Sequence, residues 1–209
     1  PMHFGWFPSN ASLASVLGDI ASSGIGGLGI SWESCPSLTE VEEVTVDWMR
    51  QLVGLTDKWL GTIHDTASTA CLTALLAARE RAGKFALQNG GLQALPSALV
   101  VYTTEEAHSS IEKSTLLAGF GRDNLRIVKT DKSTRTMNPD SLATEIDHDL
   151  LSGRVPAAVI ASCGSTGVTA FDPIADIVDV AAPHSIWVHV DAAMAGAAMM
   201  LPECRHLWY

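Results

Sequence analysis

A carboxylate at the end of an apolar run is the first feature of this sequence whose position indicates chemistry. Asp191 follows the run IWVHV at positions 186–190 and precedes small residues. Such a run predicts a buried strand, in which an unpaired carboxylate is costly. Three partners would explain it: a metal ion shared with His189 on the same strand face, backbone amides, or a cationic ring nitrogen of a cofactor. No third ligand has the spacing of a metal site, and none is predicted.

Small and hydroxyl-bearing residues precede a predicted helix at Thr66, Ala67 and Ser68. Free amides at a helix N-terminus, together with the helix dipole, favour the binding of an anion such as a phosphate. Ordinary N-capping by Thr66 or Ser68 explains the same residues. Both interpretations stay open at this point.

Two further polar sites also follow predicted strands. His108 lies between a strand and a helix, where a histidine is commonly just a surface or core residue. Ser165 and Thr166 lie between glycines in a turn, and ordinary turn chemistry accounts for them. The turn does not match GxSxG, which argues against a hydrolase nucleophile.

The elements that position these residues alternate between strand and helix. Helices are predicted at 11–22, 37–55, 69–82, 109–120, 140–151 and 173–182, and strands at 97–103, 125–130, 157–164 and 186–193. Overlapping capping boxes, Ser37 with Glu40 and Thr39 with Glu42, are predicted to open the second helix. The alternation predicts an α/β fold with three layers and a mostly parallel sheet. Ligands of such folds bind beyond the carboxyl ends of the strands, which is where the polar sites fall.

One motif is rejected on its context. Residues 24–29 match GxGxxG, the dinucleotide-binding fingerprint, which requires a strand before it and a helix starting within it. Here a predicted helix precedes the motif, and a proline follows shortly after it. A Gly-rich loop is the better interpretation.

Composition excludes several classes of partner. The 209 residues are 47% hydrophobic and carry a net charge of −10, so there is no basic footprint for nucleic acid or for an anionic membrane. No apolar run approaches the length of a membrane helix. The four cysteines are scattered and predict reduced thiols in a cytoplasmic protein. The abrupt start PMHFGWF and end PECRHLWY predict a fragment.

Several segments in order resemble one enzyme family. FPSNAS, SWESCPSLTEVE, DTASTACLTALLAAR, EEAHSSIEKS, GSTGVTAFDPI, WVHVDAAMAG and PECRHL are together similar to the group II pyridoxal-phosphate-dependent amino acid decarboxylases. The similarity is greatest to the aromatic-L-amino-acid, tyrosine and tryptophan decarboxylases. The resemblance implies the large cofactor domain of the fold-type I enzymes. It also implies a homodimer with its active site near the interface, because in the family the Gly-rich loop reaches the second subunit.

The resemblance also assigns the site. Asp191 corresponds to the carboxylate that keeps the pyridinium nitrogen of pyridoxal 5'-phosphate protonated, and His108 to the histidine stacked on its ring; these two are the expected catalytic residues. The implied cofactor contacts are Ala67, Ser68, His108, Ser165, Asp191 and Ala193. The implied contacts with a small amino acid substrate are Trp6, Pro8, Ser9, Leu28 and Ile30.

The expected activity is α-decarboxylation of an L-amino acid, most simply an aromatic one, to an amine and carbon dioxide. The family's cofactor-binding lysine has no counterpart, because the five lysines all precede the Asp191 strand. By the same resemblance, residues 1–36 are expected to supply an N-terminal helix and substrate loop, and residues 37–209 a cofactor domain truncated before that lysine and the small domain. Alternatives are an inactive or cofactor-binding fragment, a glutamate, diaminobutyrate or cysteine-sulfinate decarboxylase, an oxidative aldehyde synthase, and, more remotely, a metal hydrolase using His189 and Asp191.

Overall fold

The computed structural model describes residues 12–208, which form two compact units. The first comprises residues 12–51 with Thr56–Ile63, and the second Leu52–Leu55 with residues 64–208. In chain order the helices and strands are α1 (Leu13–Ile25), α2 (Pro36–Leu52), α3 (Ala67–Ala82), β1 (Leu99–Thr104), α4 (Ser109–Leu117), β2 (Leu125–Val128), α5 (Pro139–Leu151), β3 (Val155–Ser162), α6 (Ile174–Ala181) and β4 (Trp187–Asp191). Each predicted helix and strand is present, with bounds shifted by a few residues. The domain boundary after residue 36 stays a prediction.

The first unit contains the Gly-rich segment. Ser12 caps α1 by accepting a hydrogen bond from the Ser15 amide at 3.3 Å, and Gly26 ends the helix in a left-handed conformation with φ of 65°. Gly24, the first glycine of the GxGxxG match, therefore lies inside a helix. The motif lacks the strand that dinucleotide binding requires, in agreement with its rejection.

The capping boxes predicted for α2 are wrong. The helix begins at Pro36, so Ser37 and Thr39 lie inside its first turn, where the Thr39 hydroxyl donates to the Cys35 carbonyl at 3.2 Å. Glu42 instead accepts hydrogen bonds from the Thr62 hydroxyl at 2.9 Å and the Ile63 amide at 2.7 Å. The carboxylate thus holds the 56–63 segment against α2 rather than capping the helix.

The second unit is built around a parallel sheet with strand order β2-β1-β3-β4. Alternate strand residues pack to opposite sides: Leu99 and Val101 of β1 pack with residues of α3 and α4, and Val100 and Tyr102 pack with residues of α5 and α6. The predicted three-layer α/β architecture is confirmed. Among helices in the described part of the chain, none is both long and apolar enough to cross a bilayer.

The strand order reverses direction in the middle of the sheet. The connection from β1 leads outward to β2, and the next connection crosses back past β1 to β3 and then continues to β4. A reversal of this kind opens a crevice at the carboxyl ends of the central strands, where ligands of α/β proteins bind. His108 follows β1, Ser165 follows β3, and Asp191 ends β4. The fold therefore places these three residues at one edge of the sheet.

Candidate cofactor site

Asp191 lies at the end of β4 on the face that packs against α3. It pairs in register with Ser162 of β3, and its carbonyl accepts a hydrogen bond from the Cys163 amide at 2.8 Å. Its side chain accepts one hydrogen bond at Oδ1, from the Ala193 amide at 3.2 Å. Within residues 12–208 no cation pairs with this carboxylate, and no hydrogen bond reaches Oδ2. Backbone therefore satisfies one oxygen and leaves the other available.

His189 shares the strand face of Asp191 but is directed at a thiol. Its Nε2 lies 3.3 Å from Sγ of Cys71 in α3. Burial lowers the pKa of His189, although the charge of Asp191 opposes this, and burial together with Asp191 raises the pKa of Cys71 to about 11. Imidazole and thiol are therefore both neutral near pH 7. Among residues 12–208 no three His, Cys, Asp or Glu side chains are grouped to hold a metal ion.

The first turn of α3 lies next to this pair. Cys71 is three and four residues after Ser68 and Ala67, which places all three on one face of the helix. Thr66 caps the helix by accepting from the Thr69 amide at 3.3 Å. The amides of Ala67 and Ser68 have no hydrogen-bond partner within the described residues. The two interpretations of this segment are thus compatible, because the cap occupies the Thr69 amide and leaves two others for an anion.

His108 caps the neighbouring helix. Its Nδ1 accepts from the Ser110 amide at 3.2 Å and lies 2.8 Å from the Ser110 hydroxyl. Because an amide can only donate, the neutral imidazole carries its proton on Nε2. The Ser114 hydroxyl of α4 contacts the Ser68 carbonyl at 3.5 Å, so the first turns of α3 and α4 lie side by side. His108 is exposed, and its contacts with Ser110 fix the orientation of its ring.

Ser165 occupies a tight turn after β3. Its side chain is buried, and its Oγ accepts from the Ala170 amide at 3.1 Å, which leaves the hydroxyl proton free to donate. Gly164 precedes it with φ of 76°, a conformation that favours glycine. The turn therefore directs a hydroxyl donor to the same edge of the sheet as Asp191.

Asp172 supports this turn and was not singled out from the sequence. Its carboxylate accepts from the Ser162 amide and from the Met137 amide, each at 2.7 Å, and its own amide donates to the Ser162 carbonyl at 2.9 Å. Burial raises the pKa of Asp172, and the two amide hydrogen bonds oppose that shift. The only available signal was an aspartate just after the Ser165 turn, which has no distinctive spacing.

The other residues implied by the resemblance are distributed as follows. Ala193 is exposed two residues after Asp191. Leu28 and Ile30 lie in the first unit with exposed side chains. Trp6, Pro8 and Ser9 lie outside the described residues. The five lysines are all exposed, and Lys113 donates to the Ser109 hydroxyl at 3.2 Å.

The arrangement suits a ligand with an anion at one end and a cationic ring at the other. The unpaired amides of Ala67 and Ser68 are the kind of donors that an anion accepts at a helix N-terminus. The Oδ2 oxygen of Asp191 provides a negative acceptor, and the contact between Cys71 and His189 joins the two elements that carry them. The charge of Asp65, one turn before Thr69, is stabilised by the Thr69 hydroxyl, which lowers the pKa of Asp65. Pyridoxal 5'-phosphate has an anionic phosphate at one end and a ring nitrogen that can carry a positive charge at the other, so the residues present fit this cofactor.

Comparisons with known proteins agree with this arrangement. Residues 1–209 match the model of the pyridoxal-dependent decarboxylase conserved domain. The chain is 38% identical to a phenylacetaldehyde synthase and to tyrosine decarboxylase 2, both of Arabidopsis thaliana, across 98% of its own length and 42% and 38% of theirs. The crystal structure of Oryza sativa TDC with PLP and tryptamine superimposes with a TM-score of 0.88 at 36% identity, over 96% of this chain and 42% of that one.

The likeness to these structures confirms the fold-type I architecture expected from the resemblance. The chain spans about two fifths of the length of the relatives it matches. The match covers the whole chain and includes every motif from which the resemblance was drawn. The chain therefore belongs to the pyridoxal-dependent decarboxylase family.

Proposed function

We propose that this chain forms one side of the cofactor site of a pyridoxal-phosphate-dependent enzyme that removes the α-carboxylate of an aromatic L-amino acid. The observation that carries the proposal is the carboxylate of Asp191, with one oxygen free at the sheet edge beside the first turn of α3. Binding this cofactor needs an oxygen that accepts a hydrogen bond from its ring nitrogen and amides that donate to its phosphate. Both kinds of group are available.

Each residue has a distinct task in this proposal. Asp191 would accept a hydrogen bond at Oδ2 from the protonated ring nitrogen. The hydrogen bond that its Oδ1 accepts from the Ala193 amide fixes the plane of the carboxylate. The amides of Ala67 and Ser68 would hold the phosphate, and His108 would lie on the ring face with its orientation fixed by Ser110. Ser165 would donate its hydroxyl proton to a ring substituent. When bound, the cofactor supplies an electron sink that lets the carboxylate leave as carbon dioxide.

The substrate and the assembly are proposed from the family resemblance. The matched proteins include a tyrosine decarboxylase, which supports an aromatic amino acid as substrate. Leu28 and Ile30, with Trp6, Pro8 and Ser9, would form the substrate pocket in a homodimer. Residues 37–209 would form the cofactor domain. The four cysteines are all free, which fits a reducing, cytoplasmic setting.

The proposal is tested by binding and turnover in the full-length protein. We expect pyridoxal 5'-phosphate to bind, and tyrosine, dihydroxyphenylalanine or tryptophan to yield carbon dioxide and the matching amine. Asp191→Asn should lower kcat by about 10- to 150-fold, since a hydrogen bond to a charged group is worth about 1.5–3 kcal/mol. Asp179→Asn, an exposed aspartate of α6, is the matched control and should leave kcat unchanged.

Absence of cofactor binding by the wild-type protein would refute the proposal. Turnover of glutamate, diaminobutyrate or cysteine sulfinate, with no turnover of aromatic acids, would refute the substrate class alone.

A second function is favoured by one comparison. The phenylacetaldehyde synthase is as similar to this chain as the tyrosine decarboxylase is. Such an oxidative reaction would convert the amino acid, dioxygen and water into an aldehyde, carbon dioxide, ammonia and hydrogen peroxide. Measuring amine, aldehyde and hydrogen peroxide in the same assay distinguishes the two activities.

A further inference from the structure

The contact between Cys71 and His189 joins the two ends of the candidate cofactor site. Cys71 lies one helical turn after Ala67 and Ser68, and His189 lies two residues before Asp191 on the same strand face. The distance between Sγ and Nε2 is 3.3 Å, and no other side-chain hydrogen bond between α3 and β4 occurs in the described structure. The two residues are 118 positions apart in the chain.

Burial lowers the pKa of His189 and raises that of Cys71, so near pH 7 the contact is a hydrogen bond between neutral groups rather than an ion pair. Cys71 is almost fully buried, packed with Leu75 and Ile111 in the core between the sheet and helices α3 and α4. A hydrogen bond is directional, so this one favours a particular separation and orientation of the two side chains. It links the second turn of α3 to β4.

We infer that Cys71 and His189 are positioning residues, whose contact fixes the distance between the phosphate-binding amides of α3 and the ring-binding carboxylate of Asp191. The inference rests on the proposed function. A ligand that contacts the α3 amides and Asp191 at once binds more tightly if these groups already stand at the right distance. The protein then pays little free energy to order them on binding. A ligand that uses a single end gains nothing from it.

The test uses three ligands that lack an aldehyde and so bind without covalent chemistry. Pyridoxine 5'-phosphate reaches both ends, pyridoxine reaches only Asp191, and inorganic phosphate reaches only α3. Their dissociation constants are measured by calorimetry on the full-length protein and on Cys71→Ala. We expect Cys71→Ala to weaken pyridoxine 5'-phosphate about tenfold, which corresponds to ~1.4 kcal/mol, and to change the other two less than about twofold.

Two variants separate positioning from simple packing. Cys71→Ser keeps a hydrogen-bonding atom at this position and should recover at least half of the lost affinity on a logarithmic scale. Ile146→Val trims a buried side chain in α5, on the opposite face of the sheet, and should lower the urea midpoint without changing any of the three constants.

The possible outcomes are distinguishable. Equal weakening of all three ligands by Cys71→Ala, or no weakening of any, would overturn the inference while leaving the proposed function intact. The inference would also be overturned if Cys71→Ser recovered none of the lost affinity for pyridoxine 5'-phosphate, or if Ile146→Val lost the same affinity as Cys71→Ala. Failure of the wild-type protein to bind pyridoxine 5'-phosphate or pyridoxal 5'-phosphate would refute the proposed function and the inference together.

Discussion

Gly164 and Ala195 pack so closely that a Cβ on Gly164 would lie 2.8 Å from the Cβ of Ala195. The same added atom would lie 3.2 Å from the Cβ of Met194. This contact joins the turn that carries Ser165 to the segment that follows Asp191. The absence of a side chain at position 164 is therefore part of how the two halves of the candidate site are brought together.

We expect Gly164→Ala to disturb the Ser165 turn. The added methyl meets Ala195, and φ of 76° is strained for alanine, so the free energy of unfolding should fall by about 1–3 kcal/mol. Affinity for pyridoxine 5'-phosphate should fall with it. Gly167→Ala is the control in the same loop, since a Cβ there meets nothing within 4 Å. Equal effects of the two substitutions on urea unfolding would contradict this explanation.

Removing the partner of a buried carboxylate should be severely destabilising. Asp149 is fully buried and accepts from Arg126 at 2.9 and 2.6 Å and from the Tyr102 hydroxyl at 3.0 Å. Arg126→Met leaves this charge with Arg154, at 3.7 Å, as its remaining cation, and should cost about 3–5 kcal/mol in the free energy of unfolding.

The control for that prediction is another arginine in an ion pair. Arg122 pairs with Glu112 at 2.6 Å, but the Arg122 side chain is 73% exposed and that of Glu112 is 43% exposed. Arg122→Met should cost less than about 1 kcal/mol by the same urea titration. A cost for Arg126→Met as small as this would show that Asp149 is adequately neutralised by other groups.

The half-buried imidazole of His189 should make stability depend on pH. Burial lowers its pKa in the folded protein, so folding favours the neutral ring, and this contribution is present above the pKa of the unfolded chain. It is lost as pH falls below about 6.5 and through the lowered folded pKa, by about 1.4 kcal/mol per pH unit. We expect the free energy of unfolding to fall less between pH 7.5 and 5 in His189→Asn than in wild type.

An exposed histidine provides the comparison. His184→Asn, in the exposed turn that follows α6, should retain the wild-type slope of unfolding free energy against pH. If His189→Asn has the same slope as His184→Asn, the pH dependence arises elsewhere.

The cap of α3 should matter for stability as well as for the site. Thr66→Ala removes the acceptor of the Thr69 amide and should cost about 1 kcal/mol. Thr73→Ala, on the exposed side of the same helix, removes only a hydroxyl that donates to the Thr69 carbonyl at 3.0 Å and should be close to neutral. Thermal unfolding of the two variants is the measurement, and a larger loss in Thr73→Ala would contradict the capping assignment.

The sheet was predictable because its signals are local. Runs such as 99–104 and 155–162 are apolar enough to be buried on both faces, and the helices between them leave parallel pairing as the simple solution. The position of Asp191 at a strand end could be read in the same way. The start of α2 could not, because Glu42 prefers hydrogen bonds with Thr62 and Ile63, about twenty residues away, to the cap predicted from its neighbours.

The contacts that escaped prediction, in the candidate site and elsewhere, depend on pairs of residues distant in the chain. Nothing local to His189 indicates that its partner is Cys71, and nothing local to Asp149 indicates Arg126. Only folding of the chain brings these partners together. Sequence motifs therefore located the polar residues at the sheet edge, while their supporting contacts required the three-dimensional structure.

Within the described residues, the carboxylate of Asp172 accepts hydrogen bonds from backbone amides only, and this affects which positions of the sequence can change during evolution. Its carboxylate accepts from the amides of Met137 and Ser162, and these bonds make no demand on either side chain. Any residue with an amide hydrogen satisfies them, and proline is the one natural exclusion. We expect homologous chains to vary at 137 and 162 within the limits of the core, and to keep an acidic residue at 172. Evolutionary constraint would then fall on one carboxylate rather than on the three segments it connects.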